Sequence, residues 1–222
     1  MNSASSENAQ NCFDKLKEIW AGFDNDSNRI IPFCTPIFDR PSCVIIGINH
    51  SVFLPRVPLE LDKTADEYAT SLPTRNAFIR EHFQPDRLSE YAEDILDLFS
   101  SAGLTIDETC LGTNRCPVQR TRLDEIRHLP SFDERQRKTD VTLRNFLKTI
   151  APERVVLIGK FAAELYFSGA ESKPYDALKQ PKIGEFRPGD TTKIIAIEYP
   201  NFRNNRGSTN KARAITRLKT HW

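Results

Sequence analysis

Hydrophobic residues follow two rhythms along this chain, and the two alternate. Continuous, largely β-branched runs, Val44-Ile45-Ile46, Val155-Val156-Leu157-Ile158 and Ile194-Ile195-Ala196-Ile197, leave no polar face, as expected of strands buried on both sides in a parallel sheet. They predict strands over 43–47, 154–158 and 193–197, and a weaker run predicts another over 109–112. Elsewhere apolar positions recur every three or four residues. Leu16, Trp20 and Phe23 give an amphipathic helix from Phe13. Leu88, Tyr91, Ile95, Leu98 and Phe99 give one over 87–101 that Gly103 stops. Val141, Phe146, Leu147 and Ile150 form the inward side of a helix over 133–150. Helices are also expected over 74–82 and 160–167, with a last one from Ser208. Pro32, Pro36 and Pro41 hold the approach to the first strand extended. Strands alternating with helices predict an α/β fold, a three-layer α/β/α sandwich on a central four-stranded parallel sheet. The polar opening 1–10 reads as a disordered tail, and 11–222 as a single domain.

In open α/β sheets the loops after the carboxyl ends of the strands form the ligand crevice. Here the first strand runs into Gly47-Ile48-Asn49-His50-Ser51, the second leads to Thr113-Asn114-Arg115-Cys116-Pro117, and the fourth into Glu198-Tyr199-Pro200-Asn201. Polar groups from several strand ends should therefore converge on one site. The connection from Ser51 to about Leu72 lacks clear periodicity and follows one of these ends directly, which marks it as a functional loop.

Composition narrows the setting. With 27% charged and 39% apolar residues the chain is globular rather than disordered. A net charge of +1 says little about partners, but its distribution says more. The stretch 201–222 carries Arg203, Arg206, Lys211, Arg213, Arg217 and Lys219 and no Asp or Glu, a local basic patch in a neutral protein. No apolar run is long enough for a membrane span, and the polar opening lacks the features of a secretion signal. Five cysteines, an odd number without a C-x-x-C pair, suggest buried free thiols in a reducing, cytoplasmic compartment. No metal and no cofactor is expected.

The ordered set GINHS (47–51), TNRCP (113–117), VVLIGKFAAELYF (155–167) and IEYPN (197–201) resembles the uracil-DNA glycosylase superfamily, particularly the branch of mismatch-specific uracil and thymine glycosylases. The similarity covers roughly residue 30 to the carboxyl end. It implies an enzyme that flips a pyrimidine out of DNA and hydrolyses its N-glycosidic bond. Asn49 would position the water that attacks the sugar C1′. A neutral amide orients water but is no general base, so much of the rate must come from stabilising a cationic sugar and an anionic leaving base. His50 departs from the family's proline and would donate a hydrogen bond, act as acid or base, or contact phosphate.

Ser51 stands where uracil-restricted members place a tyrosine against the C5 edge, so a 5-substituted pyrimidine should fit unless the following loop, through Phe53 or Leu54, refills the space. Asn114 resembles the strand-end asparagine that reads the Watson–Crick edge, since an amide offers both a donor and an acceptor. Tyr68 and Phe53 compete as the ring that stacks on the base. Tyr68 is favoured by its place before Thr74-Arg75-Asn76-Ala77-Phe78, a segment similar to the relatives' Asn-Arg-Phe-Trp. Tyr199 replaces the histidine of the relatives' His-Pro-Ser motif, and its hydroxyl would serve the O2 of the leaving base instead.

Asn201, Phe202, Arg203 and Arg206 fall in a stretch similar to the loop with which relatives enter the minor groove and fill the gap left by the extruded nucleotide. Lys211 on the helix behind it, and Lys160 at a helix start after Gly159, would meet phosphates. The resemblance thus implies a monofunctional DNA glycosylase, because no lysine stands in GINHS, TNRCP or IEYPN from which to form a Schiff base, and a monomer is expected. Its setting would be base-excision repair or defence against modified phage DNA. The replaced histidine and proline leave an alternative, a catalytically inactive protein that binds DNA or a modified base with the same fold.

Overall fold

The structure is a computed structural model that describes residues 3–23, 29–48, 68–74, 90–119, 123–170, 191–198 and 205–222. Four strands, β1 (Val44–Gly47), β2 (Leu111–Asn114), β3 (Arg154–Ile158) and β4 (Lys193–Ile197), form one all-parallel sheet in the order β2-β1-β3-β4. The described helices are α1 (Ser3–Ile19), α2 (Glu90–Ser101), α3 (Leu123–Arg127), α4 (Phe132–Ile150), α5 (Lys160–Ala163) and α6 (Asn205–His221).

The strand order dictates which helix covers which face. From β1 the chain moves outward to β2, then reverses past β1 to β3. Right-handed crossovers running in opposite directions place their helices on opposite faces of the sheet. One face accordingly packs Val44, Ile46, Leu111, Val155, Leu157 and Ala196 against α1, α4 and α5. The other packs Cys43, Ile45, Val156, Ile158, Ile195 and Ile197 against Ile95, Leu98 and Phe99 of α2 and Ala214 and Leu218 of α6. Both faces being covered is why the strands carry no polar alternation. Trp222 closes the second face edge-on against Phe99 at 5.5 Å, with the Arg154 guanidinium 4.7 Å from its ring centroid.

The outer edge of β2 is covered by the extended segment 29–35. Its Ile31 N–H donates to the Pro117 carbonyl (2.8 Å) and its Cys34 N–H to Gly112 (2.8 Å). In return Gly112 N–H donates to Thr35 Oγ1 (2.8 Å) and Thr113 Oγ1 to the Pro32 carbonyl (2.6 Å). Pro32, which has no N–H, serves as acceptor only and interrupts what would otherwise be a regular edge strand.

Several elements depart from the sequence reading. Helix α1 starts at Ser3, well before Phe13, and takes in most of the segment read as a tail. The cause is packing: Ala9, Cys12, Phe13 and Leu16 are buried in the core of the first face. Trp20, just past the helix, is fully buried and donates its indole N–H to Thr139 Oγ1 of α4 (2.9 Å). Strand β2 begins two residues later than expected. The Asp107 carboxylate accepts from both the backbone N–H (2.8 Å) and the hydroxyl (2.7 Å) of Thr109, closing a turn where the strand was predicted to start.

Val141, expected inward, is 43% exposed. It lies off the buried stripe of α4, which runs through Gln136, Thr139, Asp140, Leu143, Phe146, Leu147 and Ile150. Helix α5 ends at Ala163, because the N–H groups of Leu165 and Tyr166 reach back only three residues, to Ala162 and Ala163, and the chain tightens into turns. Helix α6 begins at Asn205 instead of Ser208. Strands β3 and β4 have the expected bounds, and Gly103 ends α2 at φ 75°. The helix expected over 74–82 falls almost wholly outside the described residues.

Candidate functional site

The carboxyl ends of the four strands form one row. Register pairs Gly47 of β1 with Asn114 of β2, and Ile158 of β3 with Ile197 of β4. Pairing continues past the strands: Arg115 N–H donates to the Gly47 carbonyl (3.0 Å), Cys116 N–H to Ile48 (3.0 Å), and Gly159 N–H to Ile197 (2.9 Å). Because strand order reverses at β1, the connections leaving β1 and β3 diverge, and a crevice opens at this switch point in doubly wound sheets. Gly159 turns the chain there with φ 85° and ψ 160°, a conformation closed to residues with a Cβ, and so starts α5 at Lys160.

Asn114 is the last residue of β2 and is only 6% exposed. Among the described residues nothing hydrogen-bonds its side-chain amide. Its oxygen and nitrogen are not among the fully enclosed atoms that lack a partner, so they remain open to a ligand, and an edge carrying a carbonyl beside an N–H would match both halves of the amide.

The next residue is held in the opposite way. The Arg115 guanidinium grips Asp140 of α4 in a two-pronged pair, Nε to Oδ1 at 2.9 Å and a terminal nitrogen to Oδ2 at 2.7 Å. Its other terminal nitrogen donates to the Phe161 carbonyl (2.6 Å) and to Glu164 (3.2 Å), and the whole group lies 4.3 Å from the Phe161 ring centroid. Gln136 Nε2 donates both to the Arg115 carbonyl and to Asp140 Oδ1, each at 2.9 Å. Burial opposes the charge on Arg115, but Asp140 and Glu164 outweigh it and raise its pKa. Burial pushes the neighbouring Cys116 thiol up to about 12, so it stays protonated.

Of the residues singled out in the sequence, Asn49, His50, Ser51, Phe53, Tyr199, Asn201, Phe202 and Arg203 lie outside the described residues. Asn114 and Lys160 stand at two strand ends of the same row, and Lys160 is partly exposed. Tyr68 is buried beside Ala69 and Ile31, in a small cluster formed with the segment that covers β2. Arg206 belongs to the first turn of α6. Lys211 forms an ion pair with Asp97 of α2, and Arg217 approaches Glu198, just past β4, at 3.9 Å. The basic stretch is therefore partly offset by acids from elsewhere in the chain, whereas Arg213 and Lys219 are exposed.

Two groups at the strand ends were not recognised from the sequence. Arg115 sits inside the TNRCP motif, which was its only signal. Glu198 is buried beyond β4, and among the described residues its Oε2 has no hydrogen-bond partner. Among the described residues no cluster of three or more His, Cys, Asp or Glu side chains could hold a metal ion, and no helix is long and apolar enough to cross a membrane. No protein-family model matches the chain, and no curated protein is significantly similar to it.

Proposed function

We propose that this protein is a DNA glycosylase with the uracil-DNA glycosylase architecture, which extrudes a pyrimidine from DNA and hydrolyses its N-glycosidic bond, with a preference for a 5-substituted base. The observation that carries this reading is the register of Gly47 with Asn114. It brings the ends of two motifs, far apart in the chain, side by side at the carboxyl edge of a parallel sheet, next to its switch point, and one of them presents an amide with no partner among the described residues. In this reading Asn114 recognises the base edge and Asn49, two residues beyond Gly47, orients the attacking water. Ser51 leaves room at C5. Lys160 and the segment from Asn201 through Phe202 and Arg203 to Arg206 engage the phosphates and the gap in the duplex. The protein acts as a monomer in the cytoplasm, a compartment consistent with five cysteines of which none forms a disulfide.

The test is mass spectrometry of bases released from uracil-containing, thymine-mismatched and phage-modified duplexes, with Asn49→Ala as the control. Release that depends on Asn49, followed by strand cleavage only on alkaline treatment, is the expected result. Tight DNA binding without release would replace this reading with that of a non-catalytic binder of a modified base.

A further inference from the structure

We propose that Arg115 is a positioning residue of the strand-end site, holding Asn114 and the chain after β1 at a fixed separation from the turn after β3. Only the turnover measurement below rests on the glycosylase reading. Beyond Asn114 the sheet has ended, and the loop that follows needs another means of fixing its geometry. Arg115 supplies one in three directions. Its backbone N–H donates to Gly47, its guanidinium donates to the Phe161 carbonyl and to Glu164 after β3, and its two-pronged pair with Asp140 anchors both to the long helix α4. A planar guanidinium has five N–H donors in one rigid fork, and four of them are engaged here, so the group has no second arrangement available.

Stability alone is a poor explanation for this cluster. Replacing a buried ion pair by apolar residues of similar volume is often neutral or favourable, because desolvation cancels most of the attraction. The Arg115 and Asp140 side chains are only 8% and 11% exposed. Among the described residues the cluster also leaves Gln136 Oε1 buried without a hydrogen-bond partner, a cost that an apolar core would not carry. What the pair supplies, and a methyl group does not, is direction. Catalysis and base reading depend on such direction, since a displacement of about 1 Å at a reacting group can lower a rate about a hundredfold.

The experiment uses the full chain, the double variant R115M/D140L, which replaces the pair by apolar side chains, and E164Q, which removes only the negative charge of the partly exposed partner. The primary readout is the side-chain amide cross-peak of Asn114 in a nitrogen–proton correlation spectrum, assigned by its loss in Asn114→Asp. Thermal unfolding is measured alongside. In R115M/D140L the unfolding midpoint should stay close to that of the wild type while the Asn114 peak shifts or broadens, and E164Q should shift it less. On the best substrate, kcat should fall tenfold to a hundredfold on the order of magnitude expected for lost alignment, with KM for DNA changed less than about twofold.

An Asn114 peak that stays unmoved in the folded variants, or an unchanged kcat in an active one, overturns the proposal. If the double variant does not fold, E164Q decides by the same peak. If the wild type releases no base from any duplex, the glycosylase reading falls, and the Asn114 peak still judges the positioning role.

Discussion

Asp140→Ala should be among the most destabilising single changes in this protein, although it removes a residue that is polar and lies outside the apolar core. Its carboxylate holds Arg115 through bonds of 2.9 and 2.7 Å, and the two side chains are 11% and 8% exposed. Removing it leaves a buried guanidinium with only the Phe161 carbonyl and Glu164, the latter 26% exposed, as partners. Breaking a buried pair from one side costs about 3–5 kcal/mol, because the remaining charge stays desolvated. The surviving contacts favour the lower end, about 3 kcal/mol, which in a domain of this size lowers Tm by about 6–12 °C. The control is Glu134→Ala, which breaks a pair with Lys138 of the same 2.7 Å length, but between side chains 57% and 62% exposed. Water already solvates both of those groups, so the unfolding midpoint should not move. Urea unfolding at neutral pH, followed by far-ultraviolet circular dichroism, reads both variants, with equal m-values as the condition for comparison. R115M/D140L should recover most of the loss. A cost for Asp140→Ala below about 1 kcal/mol, or one no larger than that of Glu134→Ala, would refute the reasoning from burial.

Three further outcomes are expected. Ser51→Tyr should exclude 5-substituted pyrimidines while sparing uracil, read as the ratio of the two bases released from matched duplexes; an unchanged ratio would move the boundary of the pocket into the loop that follows. Arg203→Ala and Arg206→Ala should each weaken binding to DNA of any sequence and reduce the log–log salt slope by about 1, and slopes equal to the wild type would place the DNA contacts elsewhere. Burial opposes ionisation of Asp107, but hydrogen bonds from Ser42 and Thr109 outweigh it and lower its pKa. Its contribution to stability is therefore complete above the ordinary aspartate value of about 3.9 and is lost as pH falls through the lower folded value. Asp107→Ala should cost under about 1 kcal/mol at neutral pH, given its exposure, and nothing in strong acid, so a deficit that persists there would contradict the assignment.

What was legible in the sequence is what depends on one residue and its near neighbours. Strands β3 and β4 have the expected bounds because a strand covered on both faces can be built only from a continuous apolar run. Gly103 marked the end of α2 because a glycine reaches φ 75° without strain. The ends of β1, β3 and β4 were foreseeable for the same reason, since the chain turns polar or reaches glycine directly after each apolar run. Strand β2 was displaced in the reading because Leu111-Gly112-Thr113-Asn114 has little strand character of its own. It is a strand by virtue of β1 on one side and the segment 29–35 on the other.

Tertiary structure alone decided the order β2-β1-β3-β4 and thereby which strand ends are neighbours. It also turned the polar start of α1 into a helix, through the burial of Ala9, Cys12, Phe13 and Leu16, and turned Val141 outward on α4. Above all it chose the partners of the charges: Asp97 for Lys211, Glu198 for Arg217, and Asp140, Phe161 and Glu164 for Arg115. Hydrophobic periodicity reports which side of an element is buried, a local property written within a turn or two of chain. Pairing of charges across elements depends on which elements meet, and that follows only from the packing of the whole sheet and its helices.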